Sequence, residues 1–394
     1  MKILHSVWCL LFLISPGLLA SDETDTPEWT LTTSEILSCN TPSTSHVPSR
    51  NNSPSASLRR KESRKSFANK GLHTLSLEIA PPSALNSPIQ GTCTYKNHTL
   101  TVCQRQKLGE GACGTVTVFH ITGPDGKSTD VAGKQFLAKR APTQFAAQIL
   151  ALRGLLHSEH PGRTYIAYPN FVLETPENLI PCFPIAPFGD LQKFAETRDK
   201  PTSLAEIKLI LKQGALAIQA FHSVVKWNHC DIKPPNILVM EIDQDQNITK
   251  ILLTDEDLHT PTQEPKATSS YTARYVAPEA VRGINHPTRD FFSLGMVGLF
   301  LVKELGIFYK NQTNKGTLLY GIGRDFTGIY YKPYIKSLGK KIKRLKGAKK
   351  YSKSKTEKKE KLQFILDYLV GLIHSDFAIR ETAFEKVLAL EDTY

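Results

Sequence analysis

His229-Cys230-Asp231-Ile232-Lys233-Pro234-Pro235-Asn236-Ile237-Leu238-Val239 places an acid, a lysine two positions on and an asparagine five positions on in one polar loop, directly ahead of an apolar run. The run reads as a strand. Ile251-Leu252-Leu253-Thr254-Asp255 reads as a second short strand ending on an acid, so the two are expected to pair as a hairpin. That pairing would gather Asp231, Asn236 and Asp255 around a divalent cation and a hydroxyl nucleophile, since hard oxygen ligands suit magnesium. Each piece alone is compatible with an ordinary turn. Their order and spacing together are not.

Upstream lies Leu108-Gly109-Glu110-Gly111-Ala112-Cys113-Gly114-Thr115-Val116, a G-x-G-x-x-G-x-V between expected strands at 100–108 and 115–121. Glycines there admit a phosphate close to the backbone, and the valine can pack over a base. A turn that simply needs glycine is the alternative reading. A dinucleotide-binding unit is disfavoured, because that fold wants a helix next and the pattern offers a strand. A third expected strand, 130–137, follows the turn Gly123-Pro124-Asp125-Gly126 and carries Val131-Ala132-Gly133-Lys134. Its lysine either points inward to phosphate oxygens or lies along a strand surface. Helical spacing over 146–157 and 204–225 then makes the outline a small strand-rich unit followed by a larger helical one.

With these elements in order, the sequence resembles a eukaryotic-type protein kinase from about Cys93 to its end. Tyr275-Val276-Ala277-Pro278-Glu279 is similar to the segment that closes the activation loop. Asp290-Phe291-Phe292-Ser293-Leu294-Gly295 is similar to the start of the buried central helix of the large lobe. Asp376-Phe377-Ala378-Ile379-Arg380 resembles the late motif whose arginine pairs with the Ala-Pro-Glu acid, here Arg380 with Glu279. The resemblance implies an α+β, bilobal fold with a β-rich N-lobe over 91–187 and a larger helical C-lobe over 188–394. It further implies that Gly109, Gly111, Gly114, Val116 and Ala132 line the ATP site and that Lys134 binds the α- and β-phosphates. Asp231 would be the catalytic base, Lys233 a γ-phosphate contact, and Asn236 with Asp255 the ligands of Mg²⁺ or Mn²⁺. Counting back from Phe188-Gly189-Asp190-Leu191, Phe183 would be the gatekeeper, with the backbone of Pro184 and Ala186 bonding the adenine edge. Lys233 and Thr272 imply a Ser/Thr acceptor on a protein substrate.

Four positions depart from the family pattern. Gln148 stands where a helix C glutamate would pair with Lys134, which gives up an ion pair. Asp255-Glu256-Asp257 replaces Asp-Phe-Gly. Cys230 replaces the arginine that reads a phosphorylated activation loop, which weakens Thr268, Ser269 and Ser270 as phosphoswitches. Cys113 takes the tip of the Gly-rich loop. Retention of Lys134, Asp231, Asn236 and Asp255 favours an active though atypical kinase; the alternative is a catalytically inactive pseudokinase used as a binding or scaffold module.

Residues 1–20 read as a signal peptide cleaved near Ala20, with Lys2 ahead of an apolar core too short for a comfortable membrane span, so the protein is expected to be secreted. No later segment is expected to cross a membrane. Residues 21–90 are rich in Ser, Thr, Pro and Asn and read as a disordered linker, with order expected from near Cys93. Cys93 and Cys103 are spaced either for a cross-strand bridge in an oxidising compartment or as two thiols. Sequons begin at Asn97, Asn247 and Asn311. The net charge is +12 over 394 residues, and the whole of that excess lies within 332–361, which holds 14 Lys/Arg and 2 Asp/Glu. A neutral remainder excludes reading the fold at large as a nucleic-acid surface. The stretch itself reads as a basic surface insertion, either an arm for a polyanion or anionic membrane face or a solvated loop.

Overall fold

In a computed structural model, the described residues are 9–11, 74–75, 77–79, 89–95, 98–111, 114–136, 151–152, 154–174, 179–255, 259–266, 272, 274–302, 340 and 353–391. The chain divides into two compact units, Met1–Gln148 with Tyr168–Ile185, and Ile149–Ala167 with Ala186–Tyr394.

The first unit is built on a nine-stranded sheet of order β2-β1-β8-β9-β7-β6-β5-β4-β3. Its strands are β1 (Cys9–Leu11), β2 (Thr74–Leu75), β3 (Leu77–Ile79), β4 (Gln90–Tyr95), β5 (His98–Gly111), β6 (Gly114–Thr122), β7 (Ser128–Phe136), β8 (Phe171–Glu174) and β9 (Leu179–Pro184). The neighbouring strands pair antiparallel, and alternate side chains of β4 to β9 fill one face. Val102, Phe119, Ile121, Val131, Leu173 and Ile180 form the core there, as period-2 patterning requires.

One expectation is corrected in this unit and one open alternative is decided. The linker does not run to residue 90: β3 pairs with β4 through Leu77↔Cys93 and Ile79↔Gly91. Leu75, Leu77 and Ile79 alternate as a strand should, a signal too short to stand out against the Ser/Pro-rich composition around it. Cys9–Leu11, inside the expected leader, pairs with β8 (Phe171–Glu174). Of the two readings of Cys93 and Cys103, the structure has the thiols and not the bridge. Pairing of Tyr95 with His98 fixes a register in which Cys93 faces Leu100 and Cys103 faces Gln90, so the two thiols do not oppose each other. Asn97 lies outside the described residues.

The second unit is helical around one hairpin and one short two-stranded pairing. The helix Leu204–Ala220 starts at a capping box, in which the Ser203 hydroxyl accepts from Glu206 N–H and the Glu206 carboxylate accepts from Ser203 N–H. Glu206 also accepts from Arg198 at 2.6 Å and from Ile248 N–H at 3.0 Å, so the buried carboxylate ties this helix to the second hairpin strand. Burial opposes its ionisation, but these bonds hold its pKa below the usual carboxylate range. The helix Thr288–Leu301 is buried along its whole length. That buries the apolar residues 291–302, and among the described residues no helix is long and apolar enough to cross a membrane. Of the basic stretch, residue 340 and 353–361 are described. Here the surface-loop expectation is corrected at its end: 353–361 open the helix Lys353–Phe364, and Lys361 is buried and paired with Glu357 at 3.3 Å. The helical period turns this lysine toward the same side as buried Leu362 and Ile365.

Candidate active site

In the first unit, the Gly-rich segment is the bend between β5 and β6. Gly109 lies opposite Val116 and Gly111 opposite Gly114, which leaves residues 112–113 as a two-residue connection outside the described residues. The three glycines are not equivalent. A Cβ on Gly109 or Gly111 would meet nothing within 4 Å, whereas one on Gly114 would sit 2.1 Å from the Gln135 carbonyl oxygen of β7. Gly114 is therefore needed for strand packing, while Gly109 and Gly111 keep an open face of backbone suited to phosphate. Val116 pairs with Lys134, so the base-packing and phosphate-binding candidates are cross-strand neighbours. Ala132 pairs with Phe183 and Val131 with Pro184. Pro184 has no N–H and can offer an adenine edge only its carbonyl. Gln148 and Cys113 lie outside the described residues.

The second unit contains the loop on which the sequence reading turns. β11 (Ile237–Ile242) and β12 (Ile248–Leu253) form the expected antiparallel hairpin, with Ile237 opposite Leu253. Thr254 N–H donates to the Asn236 carbonyl at 3.0 Å, which brings the chain leading into Asp255 alongside Asn236. Asp231 is nearly buried and both its carboxylate oxygens are engaged. Lys233 Nζ donates to Oδ2 at 2.7 Å, Thr272 Oγ1 donates to Oδ1 at 2.7 Å, and Asn236 Nδ2 donates to Oδ2 at 3.2 Å and to the Asp231 carbonyl at 2.9 Å. Lys233 Nζ also reaches Thr272 Oγ1 at 3.1 Å, closing a triangle. Ala186 belongs to this unit too; its carbonyl accepts from Gly189 N–H.

Two site residues other than glycine take left-handed backbone, Cys230 at φ 71° and Asp255 at φ 72°. Such conformations cost on the order of 1–3 kcal/mol and persist where surrounding bonds over-determine them. At Cys230 the restraint is visible. Asp290, fully buried at the start of the helix Thr288–Leu301, accepts from His229 N–H at 2.7 Å and Cys230 N–H at 2.9 Å, and pairs with His222 Nε2 at 2.9 Å. Burial works against ionising Asp290, but the His222 bond and charge outweigh it and hold the pKa below the ordinary value. The His229 ring meets the Thr254 carbonyl at 3.1 Å, linking this loop to the hairpin's end. Glu279 and Arg380 form a buried bidentate pair at 2.5 and 2.9 Å, the pairing expected from sequence.

The donor set suits a hard cation. Asn236 commits only its Nδ2 to Asp231, leaving Oδ1 available, and Asp255 supplies a carboxylate. Among the described residues no cluster of three or more His, Cys, Asp or Glu would hold a metal alone. A two-ligand site completed by phosphate and water is characteristic of Mg²⁺. Glu256 and Asp257 lie outside the described residues.

The protein kinase domain family model matches residues 103–374. The chain belongs to the protein kinase superfamily. No curated protein matches it. Three features of this kinase domain were not disclosed by sequence spacing: the Thr272 bonds to Asp231 and Lys233, the Asp290 grip on the 229–230 backbone, and a polar cluster around Asn285. Their partners lie far apart in sequence, Thr272 from Asp231 by 41 positions and Asn285 from Asn228 by 57.

Proposed function

We propose that this kinase-superfamily protein is an active, atypical Ser/Thr protein kinase, secreted from its cell of origin, that uses ATP with Mg²⁺ or Mn²⁺. The observation that carries the reading is the Asp231–Lys233–Thr272–Asn236 set. A catalytic base must be held in one orientation, and three side chains hold Asp231 so. Oδ2 accepts from both Lys233 and Asn236, but Oδ1 accepts from Thr272 alone and keeps a second lone pair, so Asp231 can still accept the proton of an acceptor hydroxyl. Lys233 presents positive charge beside that carboxylate, and Thr272 fixes both. Asn236 and Asp255 would hold the metal, while Gly109, Gly111, Val116, Ala132, Lys134, Phe183, Pro184 and Ala186 would bind the nucleotide. Bound ATP with its metal supplies the transferable phosphoryl group and the charge neutralisation.

A catalytically inactive pseudokinase used as a binding or scaffold module is the second reading, favoured by Gln148 and by Asp255-Glu256-Asp257. Incubating the purified protein with γ-labelled ATP, Mg²⁺ or Mn²⁺ and a basic test protein separates the two. The kinase reading expects label on serine or threonine, with metal-dependent thermal stabilisation by ATP. Absence of transfer, with nucleotide shifting the melting temperature little or without metal dependence, would support the pseudokinase. Secretion is tested by following the chain in cells: recovery from the medium with an N-terminus near Ser21 supports it, and retention with Met1 intact opposes it.

A further inference from the structure

Asn285 sits 7% exposed just before the helix Thr288–Leu301 and is not among the residues expected to act in the site. Its side chain nevertheless has more partners than a buried filler needs. Nδ2 donates to the Pro261 carbonyl at 3.0 Å and to the Glu264 carbonyl at 2.7 Å. Oδ1 accepts from Asn228 Nδ2 at 2.9 Å and from Arg289 Nη1 at 3.2 Å. Its backbone N–H donates to the Pro265 carbonyl at 3.0 Å. One residue thus joins the strand that runs into the catalytic loop, the start of the central helix and three carbonyls of the segment after Asp255.

The same segment is held along its length. β13 (Thr260–Pro261) pairs with β10 (Trp227–Asn228), His259 stacks on Trp227 with ring centroids 3.9 Å apart, and Cys230 Sγ lies 3.6 Å from Thr260 Oγ1. Thr262 N–H donates to the Lys226 carbonyl at 2.8 Å, and Lys266 bridges to Ile284. Six positions beyond Lys266 comes Thr272, which bonds Asp231 and Lys233. An apolar cluster would fill the space around Asn285 more cheaply, because Asn228 Oδ1 and Arg289 Nη2 are buried without a partner among the described residues. What the polar version adds is direction: the Asn285 amide fixes main-chain carbonyls at defined positions.

We propose that Asn285 is a positioning residue, a neutral clamp that holds residues 259–266 against the catalytic loop and thereby sets Thr272 on Asp231. The grip is on backbone and needs no charge, which suits a loop where Cys230 leaves no arginine to pair with a phosphate. The inference rests on the kinase reading for its effect on turnover but not for its effect on segment order.

Hydrogen exchange and kinetics on the full chain test it together. Asn285→Asp keeps the oxygen facing Asn228 and Arg289 and replaces the donor facing the two carbonyls with an acceptor; Asn285→Ala removes both. In either variant the amides of Thr262 and Glu264 should exchange at least about tenfold faster, with the β11–β12 hairpin unchanged. The kcat on a protein substrate should fall about tenfold or more, with the KM for ATP held. Glu264→Ala, which leaves the gripped carbonyl in place, should behave as wild type. Unchanged exchange at Thr262 and Glu264 in a folded variant overturns the clamp. So does a loss of stability with kcat intact, the mark of a purely structural role. If the wild type shows no turnover, the kinase reading fails while the exchange result still decides the clamp. Should neither variant fold, wild-type exchange decides: slow exchange at Thr262 and Glu264, near that of the hairpin, supports it, and loop-like exchange overturns it.

Discussion

Cys230 shows how one residue is fixed by its surroundings. Burial, and then the Asp290 carboxylate, push its thiol pKa from an ordinary 9.0 to about 12. The folded state favours the protonated thiol, so this contribution to stability is complete below about pH 9 and is lost as pH rises toward the folded value. The thiolate is the reactive form, so Cys230 should resist alkylation at neutral pH in the native protein and label only on unfolding, which peptide mass mapping after iodoacetamide would show. Asp290 has the opposite sign. Its lowered pKa contributes stability above the ordinary aspartate range, and that is lost as pH falls through the folded value. In His222→Phe the acid-unfolding midpoint should therefore move to higher pH, read by circular dichroism. At this scale Asp231, Lys233 and Asn236 were legible because all three lie within six consecutive residues and a loop displays them together. Thr272 was named from its place ahead of Ala-Pro-Glu, but its bonds to Asp231 and Lys233 were not legible, and Asn285 was not legible at all, because only folding brings their partners near.

Among the elements, the Gly-rich hairpin gives the sharpest test of role against packing. Gly114→Ala puts a Cβ against the Gln135 carbonyl oxygen at 2.1 Å and should lower the melting temperature. Gly111→Ala meets nothing within 4 Å and should leave the melting temperature within a degree or two while weakening ATP binding, measured by calorimetry. In the helical unit, Arg380→Met strands the buried Glu279 carboxylate and should cost about 3–5 kcal/mol by urea unfolding. Strand and helix identities were largely legible from period, since alternation in β6 and β7 and the long apolar helices are strong signals. What period could not supply was register and short elements. Spacing left Cys93 and Cys103 open between a bridge and two thiols, and the register that sets Tyr95 opposite His98 decides for the thiols. The three apolar residues of 75–79 were outweighed by a polar neighbourhood.

Across the whole molecule, the +12 net charge says little about the fold and much about one segment. That segment ends in a helix whose last basic residue, Lys361, is buried and paired, so the stretch is anchored to the helical unit at its C-terminal end. A heparin column run at rising salt distinguishes its two readings. Retention that falls steeply with salt and disappears when Lys340, Lys341, Lys343, Arg344, Lys346, Lys349 and Lys350 are neutralised marks a polyanion arm. Salt-insensitive retention marks a solvated loop. We infer that Asp231, oriented by Lys233, Thr272 and Asn236, is the base of a working phosphotransferase. The most direct measurement is the phosphotransfer rate from ATP with Mg²⁺ or Mn²⁺ for wild type beside Asp231→Asn. The account predicts transfer by the wild type and a loss of at least about 100-fold in the variant, the usual scale for removing a general base, with nucleotide-induced thermal stabilisation retained in both. Equal rates in the two proteins, or none in either, would contradict it.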